Sequence, residues 1–350
     1  MNSNMATLTE VSFYARRVVK WGAIGLVIIM LIPPTLTLIK RIYVAINPPP
    51  PPAPTVRYGK LPMLVFPSTT NNFAKLNYRL ETIEGGLPKL ANVSKIYFVS
   101  INKSRILELE RIKAKAAMLG FSQPPEKADE QTYKFVHLTQ PTQLTVNIIY
   151  NSYMYGYDWR SDADIWGARD VPNNGQALVE AKNFWQNLGL LAGDLADGKA
   201  KLTYLALNGG DVVSTTALSE ASFVRVDLQR SDKDGLPVVT PTNISPVYII
   251  FSGAVDRNKR VIEARYAYSQ ILDDNFSTYP LKNVDQAWNE LAAGGGYVAN
   301  PAGNQIVVRK VSLAYYESDT PQEFFQPVFV FEGDGGFVGY VPAVSVEYVQ

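Results

Sequence analysis

Cysteine is absent from the 350 residues, and histidine occurs once, at His137. The first absence excludes a disulfide framework, a thiol nucleophile, an iron–sulfur cluster and any cysteine-based zinc site. The second leaves a histidine-bearing triad only around His137 and excludes a site of two or three histidines. Excess charge is also missing: 33 Lys+Arg stand against 32 Asp+Glu. Residues 1–41 hold five basic and one acidic residue, which leaves 28 basic and 31 acidic for the remainder. That remainder lacks the basic surplus phosphate-backbone binding needs, so no nucleic-acid partner is expected. With 47% hydrophobic and 19% charged residues the composition is that of a globular chain.

One long apolar run is present. Trp21 to Ile39 is 19 uncharged residues, preceded by Arg16, Arg17 and Lys20 and followed by Lys40 and Arg41. As a helix it reaches about 28 Å, close to the thickness of a bilayer's hydrocarbon core. Pro33-Pro34 would break a helix in water, whereas a kink there is tolerated in a membrane. The expectation is an uncleaved single-pass anchor. A cleaved signal peptide is the rival, disfavoured because the run exceeds a usual h-region and no A-x-A-like site precedes Lys40. Basic residues lie on both sides of the run and do not fix its orientation. The missing cysteine, the 20 tyrosines and the resemblance given below favour a short cytoplasmic N-terminus over residues 1–20, with the large C-terminal domain extracytoplasmic.

Residues 40–56 read as a proline-rich spacer, in which Pro48 to Pro54 (PPPPPAP) forms a stiff polyproline II rod. Beyond it, strands and a few helices predict an α+β body of antiparallel sheets each packed by a helix. A first module is expected over 57–172. It has strands at Leu76–Thr82, Lys95–Ser100, Tyr133–Leu138 and Gln143–Tyr150, and a helix over Ser104–Leu119. A second region, 173–350, carries a helix with Leu178, Ala181, Trp185 and Leu188 on one stripe. A further helix, Val284–Ala293, is capped by Asn283 and stopped by Gly294-Gly295-Gly296. Strands are expected at Leu202–Leu207, Phe223–Gln229, Val247–Phe251, Arg260–Tyr268, Ile306–Tyr316, Pro327–Glu332 and Phe337–Tyr348. Pro246–Gly253 and Pro327–Gly333 echo each other as Pro-Val-aromatic-aliphatic runs ending in glycine. Duplicated helix-plus-sheet modules would produce that echo, and so would ordinary hairpin grammar.

The densest polar and aromatic cluster runs from Tyr153 to Trp166, with Asp170 beyond. Tyr155, Tyr157, Asp158, Trp159, Asp162, Asp164 and Trp166 are the candidate binding residues: rings stack on the apolar faces of sugars while carboxylates accept from hydroxyls. The bland alternative has the rings packed on the core and the aspartates capping the loop. Asp158, Asp162 or Asp164 would serve glycan hydrolysis only if two of them faced each other across a cleft. Asp232-Lys233-Asp234-Gly235 opens like a calcium loop without completing it and reads as a turn. His137, in an alternating strand, reads as structural. No catalytic residue, cofactor or metal is assigned.

The stretch from Asn283 to Val344 resembles the outer regions of YycI- and YycH-type membrane-anchored regulators, which restrain a cell-wall sensor kinase in Gram-positive bacteria. The residues that carry the likeness are Val284-Asp285-Gln286-Ala287-Trp288 with the glycines after it, Leu313-Ala314-Tyr315-Tyr316, Pro327-Val328-Phe329 and Tyr340-Val341-Pro342-Ala343. The resemblance implies a bacterial, membrane-anchored surface protein with an outer α+β domain, and the anchor, the stiff spacer, the hairpin-rich sequence and the missing catalytic residues point to a non-enzymatic one. It would sit in the cell membrane through residues 21–39 and bind a protein or cell-envelope polymer. A carboxylate-based glycan hydrolase and a subunit of a homomeric surface assembly are the other expectations.

Overall fold

The structure is a computed structural model and describes residues 8–46, 53–67, 76–101, 105–241, 244–300 and 303–350. Two compact units, Met1–Ala53 and Pro54–Gln350, make it up. In the first, α1 runs unbroken over Leu8–Ile46. The helix therefore begins well before Trp21 and continues past Ile39 into the expected spacer. Pro48 to Pro52, the body of the expected polyproline rod, lie outside the described residues. Pro33 and Pro34 withdraw two N–H donors from α1. Just beyond them the Thr35 hydroxyl sits 2.9 Å from the Leu31 carbonyl and 2.8 Å from that of Ile32. Judged on the described side chains, no helix is long and apolar enough to cross a membrane. Ile24, Val27, Ile28, Ile29 and Pro34 of the 21–39 run are outside that set.

The second unit opens with β1 (Asn77–Leu80), β2 (Val93–Val99) and α2 (Arg105–Met118). Strands β3 (Glu126–Lys127), β4 (Thr132–Val136), β5 (Thr142–Asn147) and β6 (Ser152–Tyr157) lead to helices α3 (Ala163–Gly167), α4 (Asn174–Asn187) and α5 (Gly193–Asp197). Next come β7 (Ala200–Asn208), β8 (Asp211–Thr215), β9 (Phe223–Leu228), β10 (Val238–Val239), β11 (Val247–Ser252), β12 (Val261–Tyr266) and β13 (Ile271–Pro280). The last part holds α6 (Val284–Ala292), β14 (Tyr297–Asn300), β15 (Gln305–Tyr316), β16 (Phe324–Gly333) and β17 (Val338–Pro342).

These strands form two large, mainly antiparallel sheets, which makes the body α+β. One has nine strands in the order β3-β4-β5-β6-β12-β11-β9-β7-β8. The other has eight, with β1-β15-β16-β17-β14 as its spine and β2, β10 and β13 joined to it. Two pairings depart from the antiparallel expectation, since β1 and β10 both run parallel to β15. The expected boundary at 172/173 does not separate the sheets. β6 pairs with β12 across it in one sheet, and β2 pairs with β13 and β16 in the other. Hydrogen-bonded ladders between residues more than 100 apart merge the two modules into one body.

Each sheet is covered by a helix built in the same way. Asn173 and Asn283 are N-caps whose side chains accept from the N–H of Gln176 and Gln286, while each glutamine reaches back to its cap. Such reciprocal boxes satisfy donors that the first helical turn would otherwise leave open. Ala177, Ala181 and Trp185 of α4 and Ala287 and Leu291 of α6 are fully buried, at 3.6-residue spacing. Leu178, expected on the α4 stripe, lies on its flank and is half-buried. Behind the helices, β9-β11-β12 and β15-β16-β17 are matching three-stranded antiparallel cores, so the sequence echo falls on equivalent central strands, β11 and β16. The first strand after each helix breaks the match: β7 joins β9, whereas β14 joins β17. Pro327 is accommodated inside β16 because it stands where that strand changes neighbour, from β2 at Phe324-Phe325 to β17 from Val328 onward.

Candidate functional site

β6 alternates, so Tyr153, Tyr155 and Tyr157 share its inner face and are buried, at 5%, 8% and 6% exposure. Trp159 follows them into the core, its ring centroid 5.2 Å from that of Phe223. Tyr155, Tyr157 and Trp159 therefore offer no open ring to a sugar, and for these three the alternative of rings packed on the core replaces the platform. Trp166 keeps a partly open face, 5.8 Å from Trp159, with its indole N–H donated to the Arg160 carbonyl.

The aspartates are engaged as well. Asp162 caps α3 by accepting from the Asp164 N–H at 3.0 Å. Its other oxygen accepts from the Tyr157 hydroxyl at 2.5 Å and lies 2.8 Å from the Lys259 ammonium, which is also 2.6 Å from Asp164. Lys259, helped by the Tyr157 hydroxyl, holds the Asp162 carboxyl below the usual range. A carboxylate so held is ionised at neutral pH and cannot supply the proton a glycosidase acid must donate. Asp158 is exposed, and its side chain makes no bond to the turn it precedes. Asp170 is exposed, and its backbone N–H is donated to the Gly253 carbonyl. His137 holds a turn: Nδ1 accepts from the N–H groups of Thr139 and Gln140 at 3.2 and 3.1 Å, which puts the proton of the neutral ring on Nε2.

A site that the sequence reading missed lies where the two sheets meet. The chain crosses between them after β9 and again after β12, and one charged cluster holds both crossings. Arg230 is buried, with Nε 3.1 Å from Glu317 and Nη1 3.4 Å from Asp194. Its Nη2 donates to the Ser269 carbonyl, and its guanidinium lies over the Tyr268 ring at 3.9 Å. The Tyr268 hydroxyl donates to Asp194 at 2.9 Å. Complete burial pushes the Glu317 carboxyl up, against the pull of Arg230. Nearby, the 232–235 turn is a clasp and not an ion loop. The Asp234 carboxylate accepts from the Tyr97 hydroxyl at 2.6 Å, the Tyr315 hydroxyl at 3.0 Å and the Lys95 ammonium at 3.0 Å. Burial raises the Asp234 carboxyl, but these donors outweigh it and leave the group below its ordinary value.

Around Tyr268 the seam opens into three adjoining cavities of about 340, 310 and 430 Å³. The first occupies the face of the nine-stranded sheet away from α4. There register aligns Thr145, Met154 and Arg265 across β5, β6 and β12. The 319–322 loop roofs it, anchored by the Arg265 guanidinium donating to the Asp319 carbonyl at 2.9 Å and by Gln322, which bonds Ser318 N–H and the Tyr316 carbonyl. Asn147, Ser152 and Gln270 add amide and hydroxyl groups, and Met154 and Tyr150 present half-open apolar surface. Apolar surface with a few fixed polar groups is the make-up of a recognition cleft. Among the described residues no group of three His, Asp or Glu side chains could hold a metal.

No protein-family model matches the chain, and no curated protein matches it. Among solved structures, an uncharacterized protein from Eubacterium rectale aligns over 81% of this chain and 90% of its own, with 12% identity and a TM-score of 0.37.

Proposed function

We propose that the protein is a single-pass membrane-anchored binding protein whose extracytoplasmic body captures a protein or cell-envelope polymer in the seam cleft without turning it over. The observation that carries this reading is the cleft's lining. It offers hydrogen-bonding and apolar groups to a ligand, while the charges beside it, Arg230, Glu317 and Asp194, are spent on one another. Regulation of the kind the YycI- and YycH-type resemblance implies falls within this reading.

Support for the anchor comes from α1. Trp21 and Tyr43, both exposed, are about 33 Å apart along the helix and bracket the uncharged run, as interfacial aromatics do. The bonding of the Thr35 hydroxyl inside the helix beside two prolines suits a medium that offers no water. From Thr55 onward the described chain docks on the eight-stranded sheet, through Thr55 to Thr278, Tyr58 to Tyr279 and Leu61 to Tyr348.

A photoreactive residue at Met154, in the full chain in its own membrane, tests the binding role. The expected result is one discrete adduct that is absent when the probe stands at Val255, which is 86% exposed and not among the residues lining the cleft. No adduct at 154, or the same adducts at both positions, would reject it.

A further inference from the structure

β8 closes the nine-stranded sheet, and among the described residues it pairs with β7 alone. Asp211 to Ser214 are exposed, Val212 to 40% and Val213 to 42%. The strand carries no lysine, no proline and no register shift, and its one charge, Asp211, stands at the turn end. The opposite edge is guarded: β3 is two residues long, Glu126 and Lys127, both charged and exposed.

We propose that β8 is a self-association strand, pairing antiparallel with β8 of a second copy about a two-fold axis at Val213. The hairpin fixes this register. Gly209 and Gly210 both have positive φ, 60° and 97°, as a two-residue type I′ turn requires, and Asn208 faces Asp211 across it. From that closing pair the antiparallel alternation turns the peptide groups of Asp211, Val213 and Thr215 toward β7 and those of Val212 and Ser214 outward. With the axis at Val213, Val212 of each copy meets Ser214 of the other, for about four backbone hydrogen bonds. Moving the axis to Val212 or Ser214 leaves about half of them. Val213 then faces itself at the close, non-bonded position, and Asp211 faces Thr215, so no like charges are directly opposed.

A second copy is favoured over an open chain of copies because β3 is too short to receive β8, and an isologous pair closes on itself. The contact is small, and it gains from the anchor proposed above, which confines both copies to one surface and raises their effective concentration. To that extent it rests on the anchor reading.

The cysteine-free sequence supplies the test, since any introduced thiol is the sole one. In the full chain in its membrane, mild oxidation of V213C is expected to give a disulfide-linked dimer on the order of tenfold more abundant than V255C gives. Chains carrying D211C are expected to link to chains carrying T215C and not to their own kind. A V213C chain that stays monomeric, links no better than V255C, or links to a protein of another mass overturns the proposal. Fractionation of the same samples reads the anchor separately. Dimer in the aqueous fraction keeps self-association and rejects the anchor, whereas membrane-bound monomer does the reverse.

Discussion

Arg230 and Glu317, 87 positions apart in sequence, lie 3.1 Å from each other with both side chains buried at the junction of the two sheets. Truncating Arg230 strands the Glu317 carboxylate away from water, while Arg230 without Glu317 keeps only the longer contact to Asp194. Arg230→Ala is therefore expected to cost about 3–5 kcal/mol, whereas the volume-conserving double change Arg230→Met with Glu317→Leu should cost much less. Chemical denaturation followed by tryptophan fluorescence compares the two. A double variant as unstable as the single one would show that the pair contributes more than mutual compensation.

Asn173→Ala and Asn283→Ala each remove a side-chain acceptor from a helix start. Each is expected to lose about 1 kcal/mol. Because the two helices cover different sheets, the double variant should lose close to the sum.

Acid stability should depend on Asp234. Its folded value lies below the ordinary 3.8, so its contribution is fully present above that pH and is lost as pH falls through the lower folded value. Asp162 acts in the same direction. Asp234→Asn should lower stability at pH 7 and flatten its decline below about pH 4. An unchanged pH profile would mean that the clasp on Tyr97 and Tyr315 does not form.

Alkaline titration reads the burial of the tyrosines. Desolvation pushes Tyr155, Tyr157 and Tyr248 up to about 12. Phenolate absorbance of the native protein at pH 11 should show these three largely unionised, along with buried tyrosines such as Tyr153, Tyr266 and Tyr340 that desolvation raises further, and denaturant should return them to about 10. Tyr157→Phe should remove one late-titrating group and loosen Asp162.

The elements with strong periodicity were legible in the sequence. Ala181, Trp185 and Leu188 of the α4 stripe, the α6 helix with its Asn283 cap, and β16 stand where the pattern put them, because apolar period and capping chemistry act locally. β8, β13 and β14 were not read as strands. β8 has an exposed, polar-flanked edge pattern, and β13 carries Asp273 and Asp274 where its register slips. The aromatic cluster was visible at Tyr153–Trp166, yet alternation alone could not tell which side of β6 faces the core. The seam was hidden because its charges come from chain segments far apart. The sequence signal was slight: Glu317 follows the apolar run Leu313–Tyr316, whereas Arg230 follows Phe223–Leu228, which already carries Arg225 and Asp227.

Alkaline carbonate extraction of membranes holding a C-terminally tagged full chain, paired with protease treatment of the intact cells, is the most direct check on the anchored, outward-facing body. The account predicts that the intact chain stays in the pellet and that external protease removes the tag. An intact chain released to the supernatant, or a tag protected until the cells are broken, would contradict it.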